Sequence, residues 1–537
     1  MKKKITAIIL VMAMAISLFT IPTYANTVVT KSSEQTMYTV LDKVVNALVG
    51  GIAAMIKTPR SWVNKSDFKS ENFYTGNSED EFLDEPAENA AWYLGYSNAS
   101  LLTGKELEGE YYVGGSLSVT KKLATKQYDD QKVRTIAISD GRGISIFAVL
   151  DAYGIANSDV RAIREIFAKW AKEQGKEITS INISALHQHS CVDTFGMNGD
   201  IVSALFLSSV RSFLGKDLPS GQNKDYMNNL YNVTVESMKT AVNNMEKGNL
   251  YYGTVDVSKY IHDKRDPIVF DGNLNRLRFV PDSNNSKETW IVNGGIHCVG
   301  NGAGGTELTG DYPYYMEKYI NENNNANFLY IQGAELAITS DYNDTVADEA
   351  MTEKYGERYA SMAAYGTVLA KKLQEIKPDS EKKLDPIFNI AFKEVWVEID
   401  NNILVLAAKG GLLVNNVAKA GIGKYEILTE VGYAEIGKDL AISIIPGELA
   451  PEIAYGGADT ASTSWYGTDW KYESFQSAAG DRKLLVFGLT NDQVGYLLTD
   501  NNWHSYFTEN EEIVSCGRNA GAQITEAYLG LYKEFNK

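Results

Sequence analysis

Ile178-Thr179-Ser180-Ile181-Asn182-Ile183-Ser184-Ala185-Leu186 runs without a break into His187-Gln188-His189. Its β-branched residues and alternation predict a strand that ends on two imidazoles. Upstream, Arg134 to Ser139 and Ile144 to Leu150 flank Asp140-Gly141-Arg142-Gly143, the pattern of a hairpin. Between hairpin and strand, Asn157 or Ser158 caps a helix that runs to about Lys172. Val160, Ile163, Ile166, Phe167 and Trp170 form its expected buried stripe, and Gly175 its stop. Strand, helix and strand in this span make a βαβ unit. The fold class is therefore α/β, a mixed β-sheet core with flanking helices.

Working outward, the same pattern recurs. Trp290 to Ile296 reads as a strand and runs into His297. Ile403 to Ala408, Leu440 to Ile445 and Lys483 to Phe487 read as buried strands, and Ser361 to Gln374 as a helix. Leu440 to Ile445 leads to Pro446-Gly447-Glu448. Lys483 to Phe487 leads to Gly488-Leu489-Thr490-Asn491 and then Gly495-Tyr496. The chain has five His, so three of them at strand ends is a concentration. His187 and His189 are two apart and face one side of an extended chain. Four strands thus each deliver a metal-competent group near a carboxyl end, where open α/β sheets gather their ligand sites. An isolated His-x-His is a weak signal, and Glu448 and Tyr496 taken singly fit ordinary hydrogen bonding equally well.

The ends of the chain speak to its surroundings. Lys2, Lys3 and Lys4 precede an apolar run from Ile5 to Phe19, and Thr23-Tyr24-Ala25 offers a cleavage site after Ala25. This predicts a signal peptide over 1–25 and an exported protein. Residues 26–94 read as an N-terminal extension. In it, Met37, Val40, Leu41, Val44, Val45, Leu48, Ile52, Met55 and Ile56 share one face of a helix from Met37 to Lys57. Such a helix either docks on the core or touches lipid, and its Asp42 and scant positive charge favour docking. Trp62 to Glu88 is acidic and unpatterned, and reads as a surface connection, partly disordered. The net charge of −17 excludes a nucleic-acid partner, and a lipid-like substrate must be met through apolar contacts. Cys191, Cys298 and Cys516 allow one bridge at most and read as buried thiols.

Several short motifs, taken in order, resemble the neutral, non-lysosomal ceramidase family. Ser184-Ala185-Leu186-His187-Gln188-His189-Ser190 resembles that family's Ser-Ala-Thr-His-Thr-His-Ser. Gly295-Ile296-His297-Cys298-Val299 resembles its Ala-Ile-His-Pro-Val, and Thr309-Gly310-Asp311-Tyr312 its Ser-Gly-Asp segment. Pro446-Gly447-Glu448 matches its Pro-Gly-Glu, and the Gly488 to Asn491 and Gly495-Tyr496 segments resemble its Gly-Leu-x-Asn and Gly-Tyr pair. The resemblance implies a catalytic domain over 95–537 without the family's C-terminal immunoglobulin-like domain. It implies zinc (Zn²⁺) held by His187, His297, Glu448 and Tyr496, with His189 beside it. It implies hydrolysis of the N-acyl amide of ceramide or a related lipid, with peripheral membrane contact. Arg265 stands where the family carries an Arg, and Tyr506 is the candidate for its second Tyr. Ile331-Gln332-Gly333-Ala334-Glu335-Leu336 keeps only part of the family's Gln-Gly-Asn-x-Gly-Asp, and Cys191-Val192-Asp193 replaces its Gly-Pro-Gly.

Other hydrolase classes lack their signatures. There is no Gly-x-Ser-x-Gly elbow between strand and helix and no His-Glu-x-x-His. His189 is followed by Ser190-Cys191-Val192, not by the further Asp and His of a two-metal β-lactamase-type site. The remaining rivals are a zinc hydrolase of other N-acyl amides or esters, and an exported binding protein that has lost catalysis. The residues do not determine the oligomeric state.

Overall fold

A computed structural model describes residues 31–59, 61–115, 121–199, 222–342, 345–457, 459–508 and 512–536. The expected signal peptide lies outside them.

Apart from Ile403 to Ala408, the expected strands form, and they belong to two sheets. The larger, nine-stranded sheet runs in the order Ala326–Gln332, Glu288–Gly294, Asn273–Pro281, Glu246–Asp256, Trp92–Ser100, Lys132–Ser139, Ile144–Leu150, Ile178–Ala185, with Lys382–Leu384 also pairing Glu246–Asp256. The βαβ unit is present. Ile144–Leu150 pairs in parallel with Ile178–Ala185, and the helix Asn157–Glu173 connects them. Gly175 ends that connection at a positive φ. Val160, Ile163 and Phe167 are fully buried, whereas Ile166 sits on the outer flank and is exposed, against the expected stripe. The other parallel pair of the sheet is Ala326–Gln332 with Glu288–Gly294, at the opposite edge.

The second sheet has Phe388–Glu398, Lys424–Ile436, Leu440–Ile444 and Lys483–Phe487 in that order, with Val417–Gly421 added to Lys424–Ile436. Its last two strands are parallel. Beyond Phe487 the chain enters the first sheet's territory. Gly488 N donates to Gln332 O at 2.9 Å, and Asn491 N donates to Ile183 O at 2.7 Å. The segment therefore bridges both edges of the larger sheet. Arg164 fastens the same junction. Its buried guanidinium donates to Ile181 O at 2.8 Å and to Glu430 at 3.0 Å, joining helix, first sheet and second sheet.

Three expectations on local structure are corrected. Ile403 to Ala408 is not a strand but part of the helix Asn402–Lys409, capped by Asn401 Oδ1, which accepts from Ile403 N at 3.0 Å. A short apolar run does not by itself distinguish the two. Trp62 to Glu88 is an ordered strap: Trp62 is buried, Asn77 N donates to Ile390 O at 2.7 Å and Phe392 N to Thr75 O at 2.8 Å. The N-terminal helix exists, over Lys31–Met55, but its apolar residues divide between two faces. Val45, Val49, Ile52, Ala53 and Ile56 are buried, while Met37, Val40, Val44, Leu48 and Met55 are exposed.

The buried face docks on Asn402–Lys409. Asn402 donates twice to Asn46, from its backbone N to Oδ1 and from its side-chain amide to the backbone O, and Lys409 Nζ donates to Ala53 O at 3.0 Å near the helix end. Gly50 is required at this crossing, since a Cβ there would lie 2.7 Å from the Asn402 side chain. By length and composition, Ser33–Met55 is also long and apolar enough to cross a membrane.

Glu430→Gln leaves the Arg164 charge buried without its counter-ion. Urea unfolding should show a loss of about 3–5 kcal/mol. Glu426→Gln, which breaks the solvent-exposed pair with Lys65, should stay within about 0.5 kcal/mol.

Candidate metal centre

The strand Ile178–Ala185 does not continue extended through the two histidines. His187 adopts a left-handed backbone, φ 55°, so the chain turns inward there. His187 and His189 still face one site, as expected, but through this kink and not through strand alternation. Their rings lie 4.6 Å apart, and the His297 ring is 4.9 Å from His187 and 5.7 Å from His189. Backbone contacts lock the two strand ends together: His189 N donates to Cys298 O at 3.0 Å. Gln332 Nε2 donates to Leu186 O at 3.0 Å and to Ile296 O at 2.7 Å, the carbonyls just before His187 and His297. Small residues permit this closeness. A Cβ on Gly333 would lie 2.8 Å from Gly295 N, and one on Gly295 would strike Ala334 O.

Each ligand-type histidine has one nitrogen tied down. His187 Nδ1 donates to Tyr153 O at 2.8 Å, and the Tyr153 ring stacks on His187 with centroids 4.6 Å apart. His297 Nδ1 donates to Glu335 O at 2.8 Å. The backbone carbonyls place the proton on Nδ1 and leave Nε2 aimed inward, as metal-ligating histidines are arranged. Both Nε2 atoms point at one oxygen. Glu448 Oε2 lies 3.3 Å from His187 Nε2 and 3.1 Å from His297 Nε2. Ligands on a tetrahedral centre with bonds of about 2.0–2.1 Å stand roughly 3.3 Å apart, so this donor set fits a small dication. The other oxygen of Glu448 accepts from Gln493 Nε2 at 2.9 Å.

Glu448 and Tyr496 arrive as neighbours. They are aligned partners in a short parallel pair, Glu448–Leu449 with Tyr496–Leu497, so both side chains leave on the same side of it. A residue without a sequence signal also reaches the cluster. Glu335 is fully buried, and His187, His297, Glu335 and Glu448 each offer a ligand atom within 4.8 Å of the others. Tyr153 and Gln493 likewise escaped the sequence reading. Gln493 sits inside the Asn491 to Gly495 stretch, whose spacing marked only the flanking residues.

The electrostatics follow from burial among opposed charges. Burial opposes charge on His187, but the Glu448 carboxylate outweighs it and raises the imidazole to about 9. Burial, then the charges of His187 and His297, holds His189 well below its ordinary value, so it is neutral. Among the described residues, neither ring nitrogen of His189 has a hydrogen-bond partner, although both are shielded from solvent. Burial pushes the Glu335 carboxyl up to about 7 against the pull of His297 and His187. An apolar pocket, partly open to solvent, has Glu448 and Gln493 in its wall. Tyr153, Phe195, Met197, Leu404, Leu413 and Val494 line it.

The remaining expected residues lie elsewhere in the same region. Arg265 is buried, pairs with Glu512 at 3.2 Å and donates to Asn502 O, which braces the loop carrying Tyr506. Tyr506 is buried beside Trp503 and Phe507, and its backbone N donates to Asp42 of the N-terminal helix at 3.3 Å. Cys191, Cys298 and Cys516 are free, buried thiols.

No family model and no curated protein matches the chain. Solved structures do. A crystal structure of neutral ceramidase from Pseudomonas aeruginosa superposes with a TM-score of 0.60 at 14% identity, covering 83% of this chain and 75% of that one. A ceramidase complexed with C2 gives 0.59 at 14% identity, covering 82% and 75%. The fold is thus ceramidase-like.

Two outcomes test the geometry. Gln332→Leu strands the Leu186 carbonyl and the Ile296 N–H in the core, while the Ile296 carbonyl keeps its bond from the Tyr312 hydroxyl at 2.7 Å, and should cost roughly 2–4 kcal/mol in urea unfolding. Asp42 is raised from 3.8 to about 6, first by burial and against its bond from Ser505. The folded chain therefore binds that proton more tightly than the unfolded one, and stability should rise as pH falls from about 6 toward 4. With allowance for its partial exposure, the share of that gain due to Asp42 should be about 1 kcal/mol, read as the difference between wild-type and Asp42→Asn melting curves across that range.

Proposed function

We propose that this protein is an exported zinc-dependent amidohydrolase that cuts the N-acyl amide bond of ceramide or a related lipid and releases a fatty acid. The observation that carries the reading is Glu448. One face of its carboxylate meets His187 and His297, and the residue also lines the apolar pocket. A metal-competent group in the wall of an apolar pocket suits hydrolysis of a lipid amide. The ceramidase-like fold supports the same reaction class.

His187, His297 and Glu448 would hold the ion, with Tyr496, in register beside Glu448, as a further ligand. Zinc bound there supplies Lewis acidity toward an amide carbonyl and toward water at neutral pH. His189 does the proton work. It is neutral, and its ring lies against those of His187 and His297, placed to take up a proton at the reacting centre and deliver it to the leaving amine nitrogen. Tyr153 and Gln493 hold His187 and Glu448 in place. Arg265 enters as a residue that braces Asn502 and Glu512, and Tyr506 as one packed between Trp503 and Phe507. The apolar lining excludes water from the acyl chain.

The same reading includes contact with a lipid surface. Met37, Val40, Val44, Leu48 and Met55 form an exposed apolar row on the N-terminal helix. That helix packs on Asn402–Lys409, whose Leu404 lines the pocket.

Zinc content and fatty-acid release from ceramide test the proposal together. The purified protein should carry about one zinc per chain, and a His187→Ala/Glu448→Ala variant should lose both metal and activity. His189→Gln should keep the zinc while kcat falls roughly 10²–10⁴-fold. Bound zinc without ceramide cleavage would redirect the search to other N-acyl amides or esters. No zinc, and none taken up, would overturn the reading in favour of a binding protein.

A further inference from the structure

We infer that Glu335 is itself a ligand of the metal, so that two imidazoles and two carboxylates stand among its ligands, with Tyr496 beside them. This rests on the metal reading above and deepens it. The backbone on both sides of Glu335 is clamped to the ligand-bearing strand ends. Gly333 N donates to Gly294 O at 2.9 Å, Leu336 N to Leu449 O at 3.3 Å, and His297 N to Ile338 O at 3.0 Å. Ala337 takes a left-handed φ of 66° to close this turn. Glu335 is thereby wedged between the residues that follow one strand into His297 and another into Glu448.

Its carboxylate has no other employment. Both oxygens are fully shielded, and among the described residues neither accepts a hydrogen bond. Gln493 serves Glu448 and leaves Glu335 unserved. A buried carboxylate without a donor is costly, and such a group persists where a cation or substrate completes it. His297 does not complete it. His297 Nδ1 is already donated to the backbone carbonyls of Glu335 and Ile338, at 2.8 and 3.1 Å, and the carboxylate lies 3.8 Å away, beyond hydrogen-bond range. That excludes the usual role of a carboxylate that orients a ligating histidine from behind. All four ligand atoms lie within 4.8 Å of one another, so a modest movement of the carboxylate brings it to the roughly 3.3 Å that separates ligands around a tetrahedral centre. A first-row dication would be neutralised by Glu335 and Glu448 together, and the added oxygen donor would shift the site toward harder ions.

The test loads the metal-free full chain with Co²⁺, whose visible spectrum reports its ligands. Wild type, Glu335→Gln and Glu335→Ser are compared, with affinity read by competition against a chelator and melting read without metal. We expect Glu335→Gln to change the cobalt band positions and intensities and to weaken binding at least tenfold. The metal-free variant should melt at a higher temperature than wild type, because the unpartnered carboxylate is gone. If the Gln variant does not fold, the Ser variant is read in the same way. A cobalt spectrum identical to wild type in the variant overturns the inference, even if affinity falls, since that leaves Glu335 outside the coordination sphere. Failure of the wild-type chain to take up cobalt would instead remove the metal reading on which the inference rests.

Discussion

One buried amide, that of Gln332, sets the relation between the two histidines on which the centre is built. Its two hydrogens go to the carbonyls of Leu186 and Ile296, each one residue ahead of a histidine. Those carbonyls belong to chains leaving Ile178–Ala185, one edge of the nine-stranded sheet, and Glu288–Gly294, the strand beside its other edge. Nothing in strand pairing brings such edges together. The amide does so, helped by the Gly295–Gly333 contact and by the Gly488 to Asn491 segment that hydrogen-bonds to both edges. Each net hydrogen bond is worth only about 1 kcal/mol, but a stranded buried carbonyl costs about 1–3 kcal/mol, so loss of the amide is the larger effect. The geometry of the histidines depends on a group that takes no part in chemistry.

The centre is expensive for the metal-free fold. Glu335 and His189 keep buried polar atoms without partners among the described residues. His187, Ala337 and Leu489 hold left-handed backbones without being glycine, each at a cost of order 1–3 kcal/mol. These violations are not scattered: all three residues stand beside the junction of the two sheets. Local rules tend to be broken where function demands it, with compensation supplied elsewhere. Here the compensation is the Arg164–Glu430 junction and the close-packed core around it. The carbonyls of Tyr153 and Glu335 add preorganisation, because they fix the histidine tautomers before any ligand arrives.

The strands and their terminal groups were legible because apolar runs bounded by Gly, Pro or His have a local cause. Ile178–Ala185, Leu440–Ile444 and Lys483–Phe487 follow that pattern closely, and His187, His297 and Glu448 could be placed at strand ends from it. Glu335 was not legible. Its role depends on a left-handed turn at Ala337 and on contacts with residues over a hundred positions away, and neither leaves a periodic trace. Gln493 and Tyr153 are hidden for the same reason. The helix Asn402–Lys409 was misread because a short apolar run fits strand and helix alike, and its Asn401 cap becomes decisive only once the partner helix is known. The N-terminal helix was read as one apolar face because 3–4 spacing spreads over a wide arc. Docking divided that arc, since Asn46 and Gly50 orient it toward Asn402.

That division bears on how an acidic chain would meet a lipid. A net charge of −17 repels anionic headgroups, so attraction must come from apolar area or from neutral and zwitterionic surfaces. The exposed row from Met37 to Met55 is such area, on a helix whose opposite face is fixed to Asn402–Lys409. Leu404 of that second helix belongs to the pocket wall, and so does Glu448. Under the proposed function, surface contact, chain entry and chemistry would then lie along one continuous apolar path. A substrate that leaves a bilayer by this path need not expose its acyl chain to water, which removes the largest hydrophobic penalty from its transfer. The rigid Asn46–Asn402 attachment matters for this, because a loosely held helix would bind lipid without aligning the pocket mouth to it.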